Sequence, residues 1–172
     1  MSSQLIIITG FMGSGKSTVA HVLARLLNCR AIDLDRVITK REKRTPKEII
    51  EQDGEPAFRQ IETGRLREAL EVDSARVIAL GGGAWTVQRN RDLIAQAEGF
   101  TIWLDVPFEL CWQRIVAAGN ERPLAPDEEQ ARRLYQKRRP QYELAALHLP
   151  AHGTTSVDEL AATIVRAVDF GE

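Results

Sequence analysis

Nine residues near the N-terminus, Gly10 to Thr18, carry the strongest chemical signal in the sequence: G-F-M-G-S-G-K-S-T. The apolar run Leu5–Thr9 before them predicts a buried strand, and the residues after them predict a helix. In that context the spacing G-x-x-x-x-G-K-S is typical of a phosphate-binding loop, or P-loop. Its backbone N–H groups form an anion nest, which side chains at Gly10, Gly13 and Gly15 would obstruct. We therefore expect the chain to bind a nucleoside triphosphate.

Two side chains at the end of this loop have their own chemistry. Lys16 is expected to reach the β- and γ-phosphates as a point charge, and the Ser17 hydroxyl is expected to ligate Mg²⁺. The helix that begins near Lys16 adds the positive end of its dipole. The alternative, a glycine-rich turn with an incidental lysine, does not account for this spacing.

A pair of carboxylates follows in the next predicted strand, 30–35, which ends in Asp33-Leu34-Asp35. Residues two apart on an extended chain point to the same side, so both carboxylates would project toward the crevice where open α/β sheets bind ligands. The alternative is that they cap a helix over 36–41. Beside a P-loop, ligand roles are the better interpretation.

Arg59 and Glu62 lie three residues apart on a helix predicted over 55–71, and are therefore neighbours on its surface. Taken alone, they could form a surface ion pair of little energetic weight. Further along, the predicted strand 76–80 ends in Gly81-Gly82-Gly83. Three glycines are costly to order, so a close approach by another group is expected there, whereas a plain turn would need only one.

The loop from Gly119 to Asp127 (G-N-E-R-P-L-A-P-D) is a candidate lid that contains Arg122, the alternative being a surface connection with a solvated arginine. A helix predicted over 127–146 follows, and most of its basic residues are expected to face solvent. Pro140 should kink or divide that helix. The whole chain alternates strands with helices, which predicts a parallel sheet covered on both faces. The predicted strands are 5–9, 30–35, 76–80, 100–104 and 147–149.

Composition favours one ordinary globular domain and argues against a nucleic-acid-binding, membrane-spanning or disulfide-rich protein. The chain has 172 residues, 44% hydrophobic and 27% charged, with a formal net charge of −1. A net charge this close to zero predicts no general electrostatic attraction to nucleic acid or to an anionic membrane. The two cysteines, Cys29 and Cys111, are expected to be reduced thiols. No secretory leader or bilayer-spanning run is recognisable, so we expect a cytoplasmic protein.

The motifs together resemble those of the shikimate kinases, within the nucleoside-monophosphate-kinase-like group of P-loop enzymes, over nearly the whole length. The matching pieces are the P-loop, D-L-D at 33–35, G-E-P-A-F-R-Q-I-E at 54–62, L-G-G-G-A at 80–84, R-P-L at 122–124 and K-R-R-P-Q-Y at 137–142. The resemblance implies a three-layer α/β/α fold with a central five-stranded parallel sheet. It also implies a single P-loop kinase domain over 1–172, with substrate-binding helices at about 36–71 and a mobile lid at about 119–128.

The resemblance also implies roles for individual residues. Lys16, Asp35 and Arg122 would be catalytic, with Asp35 an orienting residue whose part as a base stays open. Glu62 would orient Arg59, and Ser17 and Asp33 would hold Mg²⁺. The ATP-binding residues would be Gly13, Ser14, Gly15, Lys16, Ser17, Thr18, Arg114 and Arg122. The substrate-binding residues would be Asp35, Arg59, Gly81, Gly82, Gly83 and Arg138, with Arg139 the alternative to Arg138.

The activity implied by the resemblance is ATP-dependent phosphorylation of the 3-hydroxyl of shikimate, a step of aromatic amino-acid and chorismate biosynthesis. The partners would be ATP or ADP, Mg²⁺ and shikimate, with neither nucleic acid nor membrane, and the protein would be a monomer. Two alternatives stay open at this point. One is a kinase of the same fold that acts on another small hydroxylated acceptor, such as gluconate or a nucleotide. The other is a P-loop module that senses a metabolite without turnover.

Overall fold

The computed structural model describes residues 4–72, 74–119 and 124–169. Within these ranges, five strands form one parallel sheet, and their order across it is β2-β3-β1-β4-β5 once they are numbered along the chain. The strands are β1 Ile6–Thr9, β2 Arg30–Asp33, β3 Ala75–Ala79, β4 Phe100–Asp105 and β5 Leu147–Pro150. The predicted five-stranded parallel sheet is confirmed.

Helices connect the strands and cover the sheet in a three-layer α/β/α arrangement. In the described ranges they are α1 Lys16–Leu26, α2 Leu34–Glu42, α3 Pro46–Asp53, α4 Glu55–Leu70, α5 Gln88–Gln96, α6 Phe108–Ala117, α7 Glu128–Tyr142 and α8 Val157–Asp169. A short 3₁₀ helix, Ala84–Thr86, precedes α5. No described helix is both long and apolar enough to cross a bilayer.

The strand order explains where a ligand can bind. β1 lies at the centre, between β3 and β4. The connection after β1 leads to β2 in one half of the sheet, whereas the connection after β3 leads to β4 in the other half. Such a switch in direction opens a crevice at the carboxyl ends of the strands. Ile6, Ile7 and Ile8 are fully buried within β1, as expected for a strand covered on both faces. The central strand therefore delivers the P-loop to the natural binding crevice of the fold.

Helix starts are set by local capping, and one of them corrects a prediction. The predicted strand over 30–35 ends at Asp33, because the Asp33 carboxylate accepts a hydrogen bond from the Arg36 N–H at 3.2 Å and caps α2. Asp35 therefore lies in the first turn of α2, not on an extended chain. The capping interpretation is right for Asp33, and the idea that both carboxylates share one side of a strand is wrong.

Other boundaries follow the sequence closely. Thr45 caps α3 with Pro46 in its first turn, as predicted, and Thr45 and Glu48 form a capping box. The helix predicted over 127–146 ends earlier, at Tyr142, and continues through Pro140 without being divided. Since Pro140 lies in the last turn, the single backbone hydrogen bond that it removes does not interrupt the body of the helix.

Candidate active site

The P-loop has the backbone conformation that its glycines predicted. Gly10, Gly13 and Gly15 have φ of +147°, +75° and +92°, a region that side-chain-bearing residues rarely adopt. A Cβ at Gly13 would also lie 2.7 Å from the Cys111 carbonyl oxygen of α6. α1 begins directly afterwards at Lys16, so its free N–H groups face the same space as the loop. The result is the concave anion nest expected from the motif.

Lys16 and Ser17, at the end of the loop, are each held by a hydrogen bond. Lys16 is buried, and its Nζ donates to the Phe11 carbonyl oxygen at 2.9 Å, which holds the ammonium group over the loop. The Ser17 hydroxyl donates a short hydrogen bond to Asp33 Oδ2. The structure thus brings together the two oxygens that the resemblance assigned to Mg²⁺, and their role as metal ligands stays a prediction.

This pair of oxygen ligands fits Mg²⁺ bound with a nucleotide. Magnesium in nucleotide sites is held by one or two protein oxygens and the substrate phosphates, with water completing an octahedron. Among the residues that the structure describes, no three His, Cys, Asp or Glu side chains cluster as a dedicated metal site. A magnesium ion at Ser17 and Asp33 would therefore depend on the triphosphate for its remaining ligands.

The three glycines after β3 are crowded by charged side chains, and the close approach expected from the sequence is confirmed. A Cβ at Gly81 would lie 2.7 Å from Asp35 Oδ1 and 3.0 Å from Glu62 Oε2. A Cβ at Gly83 would lie 2.8 Å from Arg138 Nη2 and would collide with the Arg59 guanidinium. Two carboxylates and two guanidinium groups thus approach one stretch of bare backbone.

Arg59 and Glu62 form a buried ion pair, so the surface interpretation is wrong. Arg59 Nη1 lies 2.6 Å from Glu62 Oε1, and only 1% of the Glu62 side chain is exposed. Glu55, at 3.1 Å, holds the other side of the Arg59 guanidinium. Burial acts to lower the pKa of Arg59, but the two carboxylates outweigh it and raise that pKa further. Arg59 is therefore a permanent cation with a fixed orientation.

Glu62 is an unusual carboxylate. Burial raises its pKa to about 7, Asp35 adds to that rise, and Arg59 and Arg138 oppose it. Its second oxygen, Oε2, is buried and has no hydrogen-bond partner within the described residues. That oxygen faces Gly81 and Asp35 on the inner side of the cleft.

Arg138, and not its neighbour Arg139, lies at this site. Arg138 is only 6% exposed and lines the cleft. Among the described residues, no carboxylate forms an ion pair with Arg138. Arg139 instead pairs with Asp105 at 3.2 Å and lies over the Trp103 ring. Arg138 is therefore a buried cation with no countercharge in direct contact, an arrangement that favours an anionic ligand.

One continuous cleft of about 840 Å³ joins the two halves of the site. Lys16 and Ser17 of the P-loop line it, and so do Arg59 and Arg138. Three more cations that sequence reasoning did not select also border the cleft: Arg36, Lys40 and Lys47. Their spacing along the chain did not predict this, because only the packing of α2 and α3 places them at the cleft.

A smaller cavity of about 180 Å³ lies on the other side of the loop, and Gly15 and Thr18 line both cavities. Arg114 borders it and donates to the Gly13 and Ser14 carbonyl oxygens at 3.3 and 3.2 Å. Ser14 lines this cavity too. The predicted lid at about 119–128 includes Arg122, which lies outside the described residues, so its role stays a prediction.

The fold and the loop define a P-loop nucleotide-binding protein. Its main cleft extends from the phosphate nest to the charged residues around Gly81-Gly82-Gly83. The sequence model of a family described as shikimate kinase matches residues 12–169. The chain is 40% identical over 154 residues to a shikimate kinase of Synechococcus sp. (strain RCC307), a match that covers 88% of this chain and 77% of that protein. It is also 34% identical over 165 residues to a shikimate kinase of Sulfurihydrogenibium sp. (strain YO3AOP1), covering 94% and 98% of the two chains.

A solved structure agrees with these matches. The shikimate kinase from Acinetobacter baumannii in complex with shikimate superimposes with a TM-score of 0.90 at 34% identity, covering 98% of this chain and 94% of that one. The chain belongs to the shikimate kinase family.

Proposed function

We propose that this protein transfers the γ-phosphoryl group of ATP to the 3-hydroxyl of shikimate, with Mg²⁺ bound alongside the nucleotide. Family membership supports the reaction. The single structural observation that carries the proposal is the position of Arg138. It is a buried guanidinium without a carboxylate ion pair among the described residues, it lies beside Arg59 at Gly83, and it lines the same cleft as Lys16. Such a site fits a substrate with one carboxylate and a hydroxyl that can face the nucleotide.

The carboxylate of the substrate would bind between Arg59 and Arg138. A planar guanidinium offers a fork of donors that matches a carboxylate, which a lysine ammonium does not. Glu62 and Glu55 hold Arg59 in place, so little rotamer freedom is lost when the substrate binds. We call residues Gly81–Trp85 the glycine turn. Because its three glycines have no side chains, the acid can approach both arginines.

Asp35 would hold the reacting hydroxyl. It lies in the first turn of α2, with its Oδ1 beside Gly81, and it lines the same cleft as Asp33 and Ser17. A carboxylate there can accept a hydrogen bond from a ring hydroxyl and aim its oxygen at the γ-phosphorus. Because phosphoryl transfer passes through a loose transition state, orientation matters more than a strong base. We therefore assign Asp35 an orienting role.

The phosphates would lie on the amides of Gly13, Ser14, Gly15, Lys16, Ser17 and Thr18. Lys16 would move from the Phe11 carbonyl to the phosphate oxygens and neutralise charge that develops during transfer. Ser17 and Asp33 would hold Mg²⁺, which, when bound, supplies further neutralisation of the triphosphate charge. The nucleoside would extend into the smaller cavity next to Arg114. Adenine-side specificity would then depend on that cavity, separately from acid binding.

Identification of the product tests this proposal. The protein is incubated with ATP, Mg²⁺ and shikimate, and the product is analysed by ³¹P–¹H correlation NMR. We expect one new phosphate monoester coupled to the proton on carbon 3. A phosphate on another hydroxyl would overturn the assigned orientation of the substrate, and ADP formation without a phosphorylated acid would overturn the reaction itself.

A further inference from the structure

The glycine turn is held by side chains at every carbonyl from Gly82 to Trp85. The Tyr142 hydroxyl donates to the Gly82 oxygen at 2.5 Å. Thr86, Asn90 and Arg91 donate in turn to the oxygens of Gly83, Ala84 and Trp85, at 2.7, 2.9 and 2.7 Å. Glycine backbone has a large conformational entropy in the absence of such contacts, and these hydrogen bonds restrict the turn to one conformation.

The other three donors belong to the segment directly after the turn, whereas Tyr142 belongs to a distant helix. It lies on α7, one helical turn after Arg138, with only 1% of its surface exposed. Its ring stacks on Trp103, with centroids 6.0 Å apart. The Arg138 guanidinium lies against the same backbone, because a Cβ at Gly82 would be 3.4 Å from Arg138 Nη1. Burial raises the pKa of the Tyr142 hydroxyl, and the Arg138 charge lowers it against that effect. A single hydroxyl therefore connects the arginine of α7 with the backbone that lies against it.

A second contact fixes the same two elements from the opposite direction. The indole Nε1 of Trp85 donates to the Gln141 carbonyl oxygen at 2.8 Å. The two hydrogen bonds are reciprocal. A side chain of the turn, Trp85, binds the backbone of α7 at Gln141, and a side chain of α7, Tyr142, binds the backbone of the turn at Gly82. Burial raises the pKa of Tyr142 to about 12, so its hydroxyl remains protonated and can donate at neutral pH.

We infer that Tyr142 is a positioning residue for the acid substrate: its hydroxyl fixes the Gly82 carbonyl and the Arg138 guanidinium relative to each other. The inference rests on the proposed function for its kinetic consequence, since Arg138 is there assigned to the carboxylate. Without the hydroxyl, the guanidinium and the turn would sample several arrangements, and acid binding would have to bear the cost of ordering them.

The chain provides a matched control on the same helix. Tyr135 is a second tyrosine of α7, partly buried where Tyr142 is fully buried, and its hydroxyl donates to the Val106 carbonyl oxygen at 3.0 Å. That carbonyl lies just after the end of β4, away from the glycine turn. Tyr142→Phe and Tyr135→Phe each remove one hydroxyl that donates to a backbone oxygen, while both keep the aromatic ring. Any effect of losing a buried hydrogen bond should therefore appear in both variants, whereas a loss of positioning at the acid site should appear only in Tyr142→Phe.

The experiment compares both variants with the wild type by steady-state kinetics and by amide hydrogen exchange without ligand. For Tyr142→Phe we expect the KM for shikimate to rise about tenfold, as for the loss of one net hydrogen bond, with the KM for ATP unchanged. We also expect faster exchange at Ala84 and Thr86, whose N–H groups bond within the turn at 3.1 Å each. Tyr135→Phe should change neither quantity.

The two readouts separate the possible failures. Equal exchange at Ala84 and Thr86 in the two variants would overturn the positioning role, whether or not the protein phosphorylates shikimate. Faster exchange in Tyr142→Phe with an unchanged KM for shikimate would also overturn it, because the turn would then not matter for the acid. A wild-type protein without shikimate turnover would refute the proposed function, and the exchange result would still decide the role of Tyr142.

Discussion

Arg59 Nη1 lies 2.6 Å from Glu62 Oε1 across one turn of α4, and the pair is buried at the wall of the cleft. The carboxylate orients the guanidinium, while Oε2 of the same carboxylate has no partner among the described residues. A buried pair of this kind is worth little as a source of stability, but loss of one partner leaves an uncompensated charge. The arrangement is better explained by the orientation of Arg59 than by stabilisation of the fold.

Replacement of Arg59 should separate acid binding from nucleotide binding. For Arg59→Leu we expect the KM for shikimate to rise by about 100-fold, about 3 kcal/mol, because a charge-assisted contact to the carboxylate is lost. The KM for ATP should change little, because the proposed phosphate contacts are made by the P-loop and not by Arg59. Arg59→Lys keeps the charge without the fork and should recover only part of the loss. Equal increases in both KM values would contradict the assignment of Arg59 to the acid.

The raised pKa of Glu62 predicts a specific dependence of stability on pH. Its pKa in the folded protein is about 7, above its ordinary value of 4.5, so the folded state binds this proton more tightly than the unfolded state. Between these two pKa values, the free energy of unfolding should therefore fall as pH rises, by about 1.4 kcal/mol for each pH unit. Glu62→Gln has no such proton and should lack this component.

Chemical denaturation of both proteins from about pH 5 to about pH 8, a range that spans the raised pKa, provides the measurement. The wild type should lose stability relative to Glu62→Gln as pH rises through this window. The readout is the change of the difference with pH, since the substitution also shifts the absolute value by disturbing Arg59. A constant difference between the two proteins across the window would contradict the raised pKa.

The glycine turn should not tolerate a single methyl group at Gly83. A Cβ there would lie 2.8 Å from Arg138 Nη2 and would overlap the Arg59 guanidinium. We expect Gly83→Ala to displace both arginines and to raise the KM for shikimate at least tenfold. Gly64→Ala is the control, because a Cβ at Gly64, in the middle of α4, meets nothing within 4 Å. That variant should leave the kinetics unchanged and stabilise the protein by about 0.5–1 kcal/mol.

Lys16→Ala should abolish most of the turnover. The Lys16 ammonium group is held over the P-loop by the Phe11 carbonyl oxygen, and in the proposed reaction it neutralises the transferring phosphoryl group. Loss of a preorganised charge in such a site costs about 10²–10³-fold in kcat, or ~3–4 kcal/mol. The kcat of the purified variant at saturating ATP and shikimate provides the measurement, with circular dichroism as a check of folding. A kcat within about threefold of the wild type would refute the role of Lys16.

Local patterns predicted the parts of this molecule that depend on local physics. The P-loop could be predicted because its nest requires glycine and lysine at fixed spacing within nine residues. Gly81-Gly82-Gly83 signalled a close approach, since three glycines have no other justification at the end of a buried strand. The capping box at Thr45 likewise needs only residues three apart.

The features that could not be predicted depend on tertiary packing. Arg59 and Glu62 were recognisable as neighbours, but their spacing does not reveal that α4 buries them against the glycine turn. Arg138 and Arg139 are adjacent, and only the orientation of α7 decides which one enters the cleft. Tyr142 carried no signal of its own, because its partner Gly82 is 60 residues away in the sequence. At Asp33, two local rules competed, and helix capping prevailed over strand extension.

The central claim is that one cleft joins a P-loop to a pocket for a hydroxylated acid. A coupled assay of ADP release with Mg²⁺ and ATP tests it most directly, with shikimate, quinate and gluconate compared as acceptors and EDTA as the control for the metal. We predict Mg²⁺-dependent ADP release with shikimate, at a kcat/KM at least 100-fold above that with gluconate. No ADP release with shikimate, or equal rates with all three acids, would contradict it.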